Sequence, residues 1–288
     1  MSDEARYKRK LSDLSLIDDH LFGLFIQEAG SEEILKGLIE RMLDVKVSKI
    51  SLKQKQHDIS NDPDYHGVRL DAFVQEETSN TLYDIEVQTV DTKNIPKRMR
   101  YYQSLIDREQ MPSGEFDYNI LPKTVIIFVT DFDPFGQGLY RYTFENTCLE
   151  KNSLKLGDES IKVVLNTKGK ISEGVKTELV ELLKYFQNST KETAENASSD
   201  FVKRLYKMLE PIKNSPKFGG EFMSIQEKIY TEKKISREEG IQIGEKKGRE
   251  EGIQIGEKKG KEEGIQEMLE KMRKSGISEE QIKLIMAN

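Results

Sequence analysis

One cysteine, Cys148, stands in a chain of 288 residues, so no disulfide can form within it. The opening MSDEARYKRKLSDLSLIDD lacks the run of ~7–15 apolar residues that marks a secretory leader. Nowhere do about 18 apolar residues follow one another, as a membrane-spanning helix requires. The longest apolar run, VIIFV at 125–129, has the length of a buried strand. These absences predict a cytoplasmic protein with no membrane partner. Positive charge is also in short supply. The 45 Lys and Arg against 51 Asp and Glu leave a formal charge of −6, which excludes coating of nucleic acid through bulk electrostatics. Basic residues gather only locally, in ARYKRK at 5–10 and KNIPKRMR at 93–100, and such clusters are ordinarily solvated helix faces.

The length suits one globular domain with an appendage. IDDHLFGLFIQEA and SEEILKGLIERML read as amphipathic helices, the second with Ser31 as N-cap and acids in its first turn. VSKISLKQKQ at 47–56 alternates as a strand, and GVRLDAFVQE and TLYDIEVQTV alternate as two more. IPKRMRYYQSLIDRE follows as a helix with Pro96 near its start, and KTVIIFVTD is a strand apolar on both faces. LYRYTFEN and IKVVLNT predict further strands, and SEGVKTELVELLKYF a helix. The expectation is a compact α/β domain over 1–186. A polar linker or exposed turn at 187–200 follows, then a helical segment over 201–235 broken by KNSPKFGG, and a repeat tail over 236–288.

The tail repeats itself: REEGIQIGEKKG at 237–248 recurs identically at 249–260 and begins again at 261. Glycine recurs at every fourth position from Gly240 to Gly264, and each costs a helix interior up to ~1 kcal/mol relative to alanine. At about 100° per residue the isoleucines Ile241, Ile243, Ile253, Ile255 and Ile265 spread around the helix and form no single stripe. Two readings stay open: a self-associating helix whose glycine row admits another backbone, or a weakly ordered charged tail. Ser278 and Gln281 predict a capping box, with Ile277 and Ile282 as its hydrophobic staple.

The acids in the two alternating strands carry the chemistry. Arg69, Asp71, Phe73 and Gln75 share a face of the first, and Leu82, Asp84, Glu86 and Gln88 a face of the second. A two-residue turn at Thr78–Ser79 sets Asp71 opposite Glu86, whereas one at Ser79–Asn80 sets it opposite Gln88. Like charges opposed on a sheet repel, and a hard divalent cation compensates by taking oxygens from both. The alternative is a solvated face. Asp84 shares the site face and could bind a second metal, but at a strand start a solvated role is expected, and Asp131 and Asp133 are expected to cap a turn with Pro134 and Gly136. His57 and His66 flank the first of these strands, where either could assist proton transfer, although such loop histidines are more often merely exposed.

GVRLDAF, YDIEVQ after the hairpin, PKRMRYYQSLID, and VIIFVTDFDPFG with YTFEN together resemble the recombination-promoting nuclease (Rpn) or transposase family. That family is a branch of the PD-(D/E)XK nuclease superfamily, and the resemblance covers roughly residues 15–150. It implies an αβββαβ core with a mixed sheet flanked by helices, and Mg²⁺-dependent endonuclease cleavage of DNA, with Mn²⁺ as a substitute. Residue by residue, Asp71 and Glu86 match the catalytic acids that hold the metal. Val87 would add its backbone carbonyl, and Glu40, more loosely, an acid from a preceding helix. Gln88 stands where lysine is usual, and an amide brings no positive charge. Lys97, Arg98, Arg100, Tyr101, Tyr102 and Gln103 match the helix after the motif, where contacts to DNA phosphates are implied. The glycine and charge repeats also look like those of the family, and the C-terminal region with its glycine row is itself expected to mediate self-association into a homo-oligomer. A competing reading is a DNA-binding or regulatory protein with little or no catalysis, which the amide at 88 motivates.

Overall fold

The computed structural model describes residues 9–27, 31–59 and 68–286. Two compact units divide the chain, Met1–Met223 and Ser224–Asn288. Unit one begins with α1 (Asp19–Gln27) and α2 (Ser31–Leu43), whose apolar faces bury Phe22, Phe25, Leu35, Leu38 and Ile39. An antiparallel meander follows: β1 (Ile50–Ile59), β2 (Val68–Glu76) and β3 (Leu82–Gln88). Helix α3 (Ile95–Gln110) crosses over to β4 (Thr124–Thr130), which pairs parallel to β3. β5 (Arg141–Phe144) and β6 (Ser160–Asn166) complete a six-stranded sheet of order β1-β2-β3-β4-β6-β5. The expected αβββαβ core is present. Every residue of β4 is buried, as its unbroken apolar run requires of a strand covered on both faces.

The sheet separates two apolar clusters. Tyr83, Ile85 and Val87 of β3, Val125, Ile127 and Val129 of β4 face one side, where α1, α2, α4 (Thr177–Gln187) and α6 (Asp200–Lys213) pack. On the other side Leu82, Ile126, Phe128 and Val164 meet Ile95, Met99, Tyr102, Leu105 and Ile106 of α3. The carboxylates of β3 belong to this second side, under α3.

The first unit does not stop at Phe186. α5 (Lys191–Asn196) occupies the stretch expected as a linker, and Ser189, Ala194, Ala197 and Ser199 are buried in it. α6 then adds Phe201, Val202, Leu205, Leu209 and Ile212 to the first cluster. Small residues replace large ones here, which is why a polar composition concealed a packed segment. Gly37 of α2 marks the closest approach, since a Cβ there would overlap the Phe201 ring. The anticipated break at KNSPKFGG is confined to Asn214 and Ser215. Pro216 then opens α7 (Pro216–Lys274) at the position where a missing N–H costs least.

α7 carries the repeat as continuous helix into the second unit. A Cβ at each of Gly240, Gly244, Gly248, Gly252, Gly256, Gly260 and Gly264 would meet nothing within 4 Å. α8 (Glu279–Met286) ends the description. Its capping box forms, with the Gln281 N–H donating to Ser278 Oγ at 3.4 Å, the Ser278 N–H to Gln281 Oε1 at 3.3 Å, and Ile282 buried. Among the described residues no helix is long and apolar enough to cross a membrane.

Candidate active site

The β2–β3 register pairs Ala72 with Ile85 and Phe73 with Asp84, which continues to Asp71 opposite Glu86. This is the register anticipated for a turn centred on Thr78–Ser79, although the loop is longer than two residues. Glu76 pairs with Thr81 around a four-residue loop, and Asn80 adopts φ 58°, a left-handed conformation that asparagine tolerates. Ser79 Oγ donates to Glu76 Oε2 at 2.6 Å and fastens the loop.

Main-chain pairing of β2 with β3 ends at Ala72 and Ile85. Beyond it carboxylates join the strands. The Asp71 N–H donates to Glu86 Oε1 at 2.9 Å, and the Val87 N–H to Asp71 Oδ2 at 3.3 Å. Each acid thus serves the opposite strand's backbone. Leu70 departs from the alternation here, joining the second cluster with Phe73 rather than the first with Ala72 and Val74.

Asp84 corrects the expectation of a solvated acid. It is 0 % exposed, and neither carboxylate oxygen has a hydrogen-bond partner. Burial raises its pKa well above the ordinary carboxylate range and the charge of Asp71 raises it further, while the Glu86 carboxyl and Arg98 offset part of the shift. Glu86, 3 % exposed, is shifted the same way, first by burial and then by Asp84 and Asp71. The Asp71 N–H and Arg98 act against that shift. Two buried acids side by side, one of them with only the other carboxyl beside it to offset its burial, form an arrangement that an apolar core does not retain without compensation.

α3 supplies the opposing charge from Arg98, one of the residues expected to touch DNA. Its helical period turns Arg98 and Tyr102 inward with Ile95, Met99 and Ile106, and leaves Lys97 and Arg100 exposed. Arg98 Nη2 lies 3.6 Å from Glu86 Oε2. Its Nη1 donates to Gln88 Oε1 at 2.6 Å and its Nη2 to Tyr102 Oη at 2.7 Å. Tyr102 is buried, and its phenol is pushed up to about 12 by burial and by Glu86. Gln103 is likewise engaged inside the protein, donating to Asp107 and accepting from Ser160. Of the residues expected to touch DNA, Lys97 and Arg100 are exposed, Arg98, Tyr101 and Gln103 are half-buried, and Tyr102 is buried.

Glu40 does not join the cluster. α2 packs on the opposite face of the sheet, and Glu40 Oε1 accepts the Val47 N–H at 3.1 Å, closing the turn before β1. β1 starts at Ile50 rather than at residue 47. Asp133 caps its turn as expected, accepting from Phe135, Gly136 and Gly138 N–H. Asp131 instead accepts from Thr167 and pairs with Lys168. His57 falls within β1 rather than in a loop, and His66 lies outside the described residues.

The donors suit a hard divalent cation. Asp71, Asp84 and Glu86 offer only oxygen, the Val87 carbonyl adds another beside them in sequence, and Asp84 has two oxygens without partners. As placed, no group of three or more Asp, Glu, His or Cys side chains among the described residues could hold a metal ion. Mg²⁺ is ordinarily bound through one or two carboxylates, with waters and phosphate oxygens as its other ligands.

A meander carrying opposed acids on β2 and β3, followed by a helical crossover to a parallel central strand, defines the PD-(D/E)XK class of nuclease folds. The chain belongs to the PD-(D/E)XK nuclease family transposases, whose family model matches residues 16–236. That membership gives it a nuclease or transposase-like role with DNA as substrate class, in a superfamily that works with divalent metals. No curated protein and no solved structure matches the chain.

Proposed function

We propose that this chain is a metal-dependent DNA endonuclease hydrolysing phosphodiester bonds at the Asp71–Asp84–Glu86 cluster. The observation that carries the reading is Asp84, fully buried with both oxygens unpartnered beside a second buried acid. Asp71, Asp84, Glu86 and the Val87 carbonyl would hold Mg²⁺ or Mn²⁺. Bound there, such an ion polarises a phosphate and lowers the pKa of its water. The protein's part is to keep these oxygens deprotonated and converging, which their burial resists in the absence of a cation. Each cut consumes one water. Its oxygen bonds phosphorus, the bond to the 3′ oxygen breaks, and that oxygen leaves with a proton to give 5′-phosphate and 3′-hydroxyl ends.

Supercoiled plasmid incubated with the purified chain tests this, with Mg²⁺, Mn²⁺ or EDTA and with Glu86→Gln alongside. Nicking that needs metal and is lost in the variant supports it. Plasmid bound but uncut under all conditions supports the competing DNA-binding reading.

Lys97 and Arg100, exposed on α3, supply phosphate contacts in this proposal. Replacing both with alanine should weaken DNA binding and reduce the slope of log affinity against log salt by about 2. Unchanged slopes would remove α3 from the binding surface.

Self-association is assigned to the second unit. The open glycine row of α7 lets a second backbone approach, and the exposed isoleucines beside it gain from being covered. Deletion of 237–288 should lower the mass measured by light scattering. An unchanged mass would make the repeat a solvated appendage.

A further inference from the structure

We propose that Arg98 is the fixed cation of this site, acting on the scissile phosphate, and that Gln88 is its positioning residue. The proposal rests on the nuclease reading and names the group that supplies positive charge, which an amide at 88 cannot.

Arg98 is held on several sides at once. Gln88 Oε1 accepts from Nη1 at 2.6 Å, Tyr102 Oη accepts from Nη2 at 2.7 Å, and Glu86 Oε2 lies 3.6 Å from Nη2. The guanidinium carbon sits 5.1 Å from the centre of the Phe128 ring and 5.3 Å from that of Tyr102. These contacts fix both the plane and the rotation of the fork. Holding a long side chain this way is what separates a pre-organised charge from a mobile surface arginine.

Gln88 is committed to that task. While its oxygen takes the Arg98 donor, its Nε2 donates to the Val90 carbonyl at 2.7 Å. The amide is thereby locked with its acceptor toward the guanidinium. Arg98 retains donor capacity, since a guanidinium has five N–H groups and two are engaged here. Its side chain is 29 % exposed, so a phosphate approaching the carboxylates can reach it. Phosphate oxygens gain charge as the water adds, and a fixed fork of donors beside them stabilises that change. Lys97 and Arg100 point elsewhere on the same helix, which separates binding charge from reaction charge.

The test compares Arg98→Ala, Arg98→Lys, Gln88→Ala and the Arg98→Ala/Gln88→Ala double variant in single-turnover cleavage. DNA affinity is measured in parallel with Ca²⁺ and a short duplex. Arg98→Ala should lower the cleavage rate by about 10²-fold or more with affinity within about threefold of the parent. Arg98→Lys should lose nearly as much, because an ammonium cannot reproduce the fork. If Arg98→Ala fails to fold, Arg98→Lys carries the comparison. Gln88→Ala should lose about tenfold, and the double variant no more than Arg98→Ala alone, as for residues acting as one unit. Added guanidinium should restore part of the Arg98→Ala rate, which a purely structural role would not allow. Full cleavage by both Arg98 variants overturns the proposal, and so do additive losses or a loss confined to affinity. Glu86→Gln cutting like the parent, or a parent that cuts nothing, overturns the nuclease reading along with it. An inactive Glu86→Gln beside an active Arg98→Ala overturns the Arg98 role alone.

Discussion

Glu86→Gln is expected to lower metal-dependent cleavage by about 10²–10³-fold, the range in which loss of a preorganised electrostatic group falls. The substitution is nearly isosteric, so its effect is one of charge and acceptor number rather than shape. Glutamine can still accept the Asp71 N–H that Glu86 Oε1 accepts at 2.9 Å, which keeps β2 and β3 joined. It also relieves the burial of a charge. Folded protein without cleavage is therefore the expected combination, measured by plasmid nicking and by circular dichroism on one preparation. Cleavage within tenfold of the parent would show that the reacting site lies elsewhere.

Asp84→Asn should do the opposite to stability of what most core substitutions do. Asp84 and Glu86 both have folded-state pKa values raised above those of exposed carboxylates, chiefly by burial. A group of that kind contributes its full stability below the unfolded pKa, about 4, and loses it as pH rises through the folded value. With chelator present, the parent should thus melt at progressively lower temperature as pH is raised from 4. Asp84→Asn should flatten that fall. An unpartnered buried group costs about 1–3 kcal/mol and more when charged, so the variant should melt about 3–10 °C above the parent at pH 8. Mn²⁺ should raise the melting temperature of the parent by binding the folded state and do little for the variant. A variant less stable than the parent at pH 8 would mean that Asp84 has compensation in the native protein.

The αβββαβ order was legible because its signals are periodic: alternation in β2 and β3, an unbroken apolar run in β4, and a helical stripe between them. Local capping was legible too, at Ser278 with Gln281 and at Asp133. Asp84 was misjudged because composition places acids at strand starts in water, whereas every β3 residue from Leu82 to Val87 is covered once α3 lies over the sheet. Tertiary cover is not a property of the strand's own sequence. Arg98 could not be told from its basic neighbours for a related reason. A basic cluster looks uniform along the chain, and only the rotation of α3 about its apolar stripe divides Arg98 from Lys97 and Arg100. Glu40 fails in the other direction, a correctly placed helix acid whose helix packs on the wrong side of the sheet. The residues at 187–200 were unreadable as core because their buried members are serine and alanine, which bury without a hydrophobic pattern.

The identical units of α7 carry a geometric consequence. Twelve residues of α-helix advance about 18 Å and complete three turns plus about a third of another. A chain with one unit more or fewer than this one would keep the helix, but everything after the repeat, α8 included, would be re-phased by about 120° relative to 224–236. Only a change of three units restores the original azimuth, about 54 Å further along. Copy number in this segment therefore behaves as an angular setting as much as a length. Chains differing by one or two units would present α8 to a common partner at the wrong clock position, although every side chain in the repeat is the same.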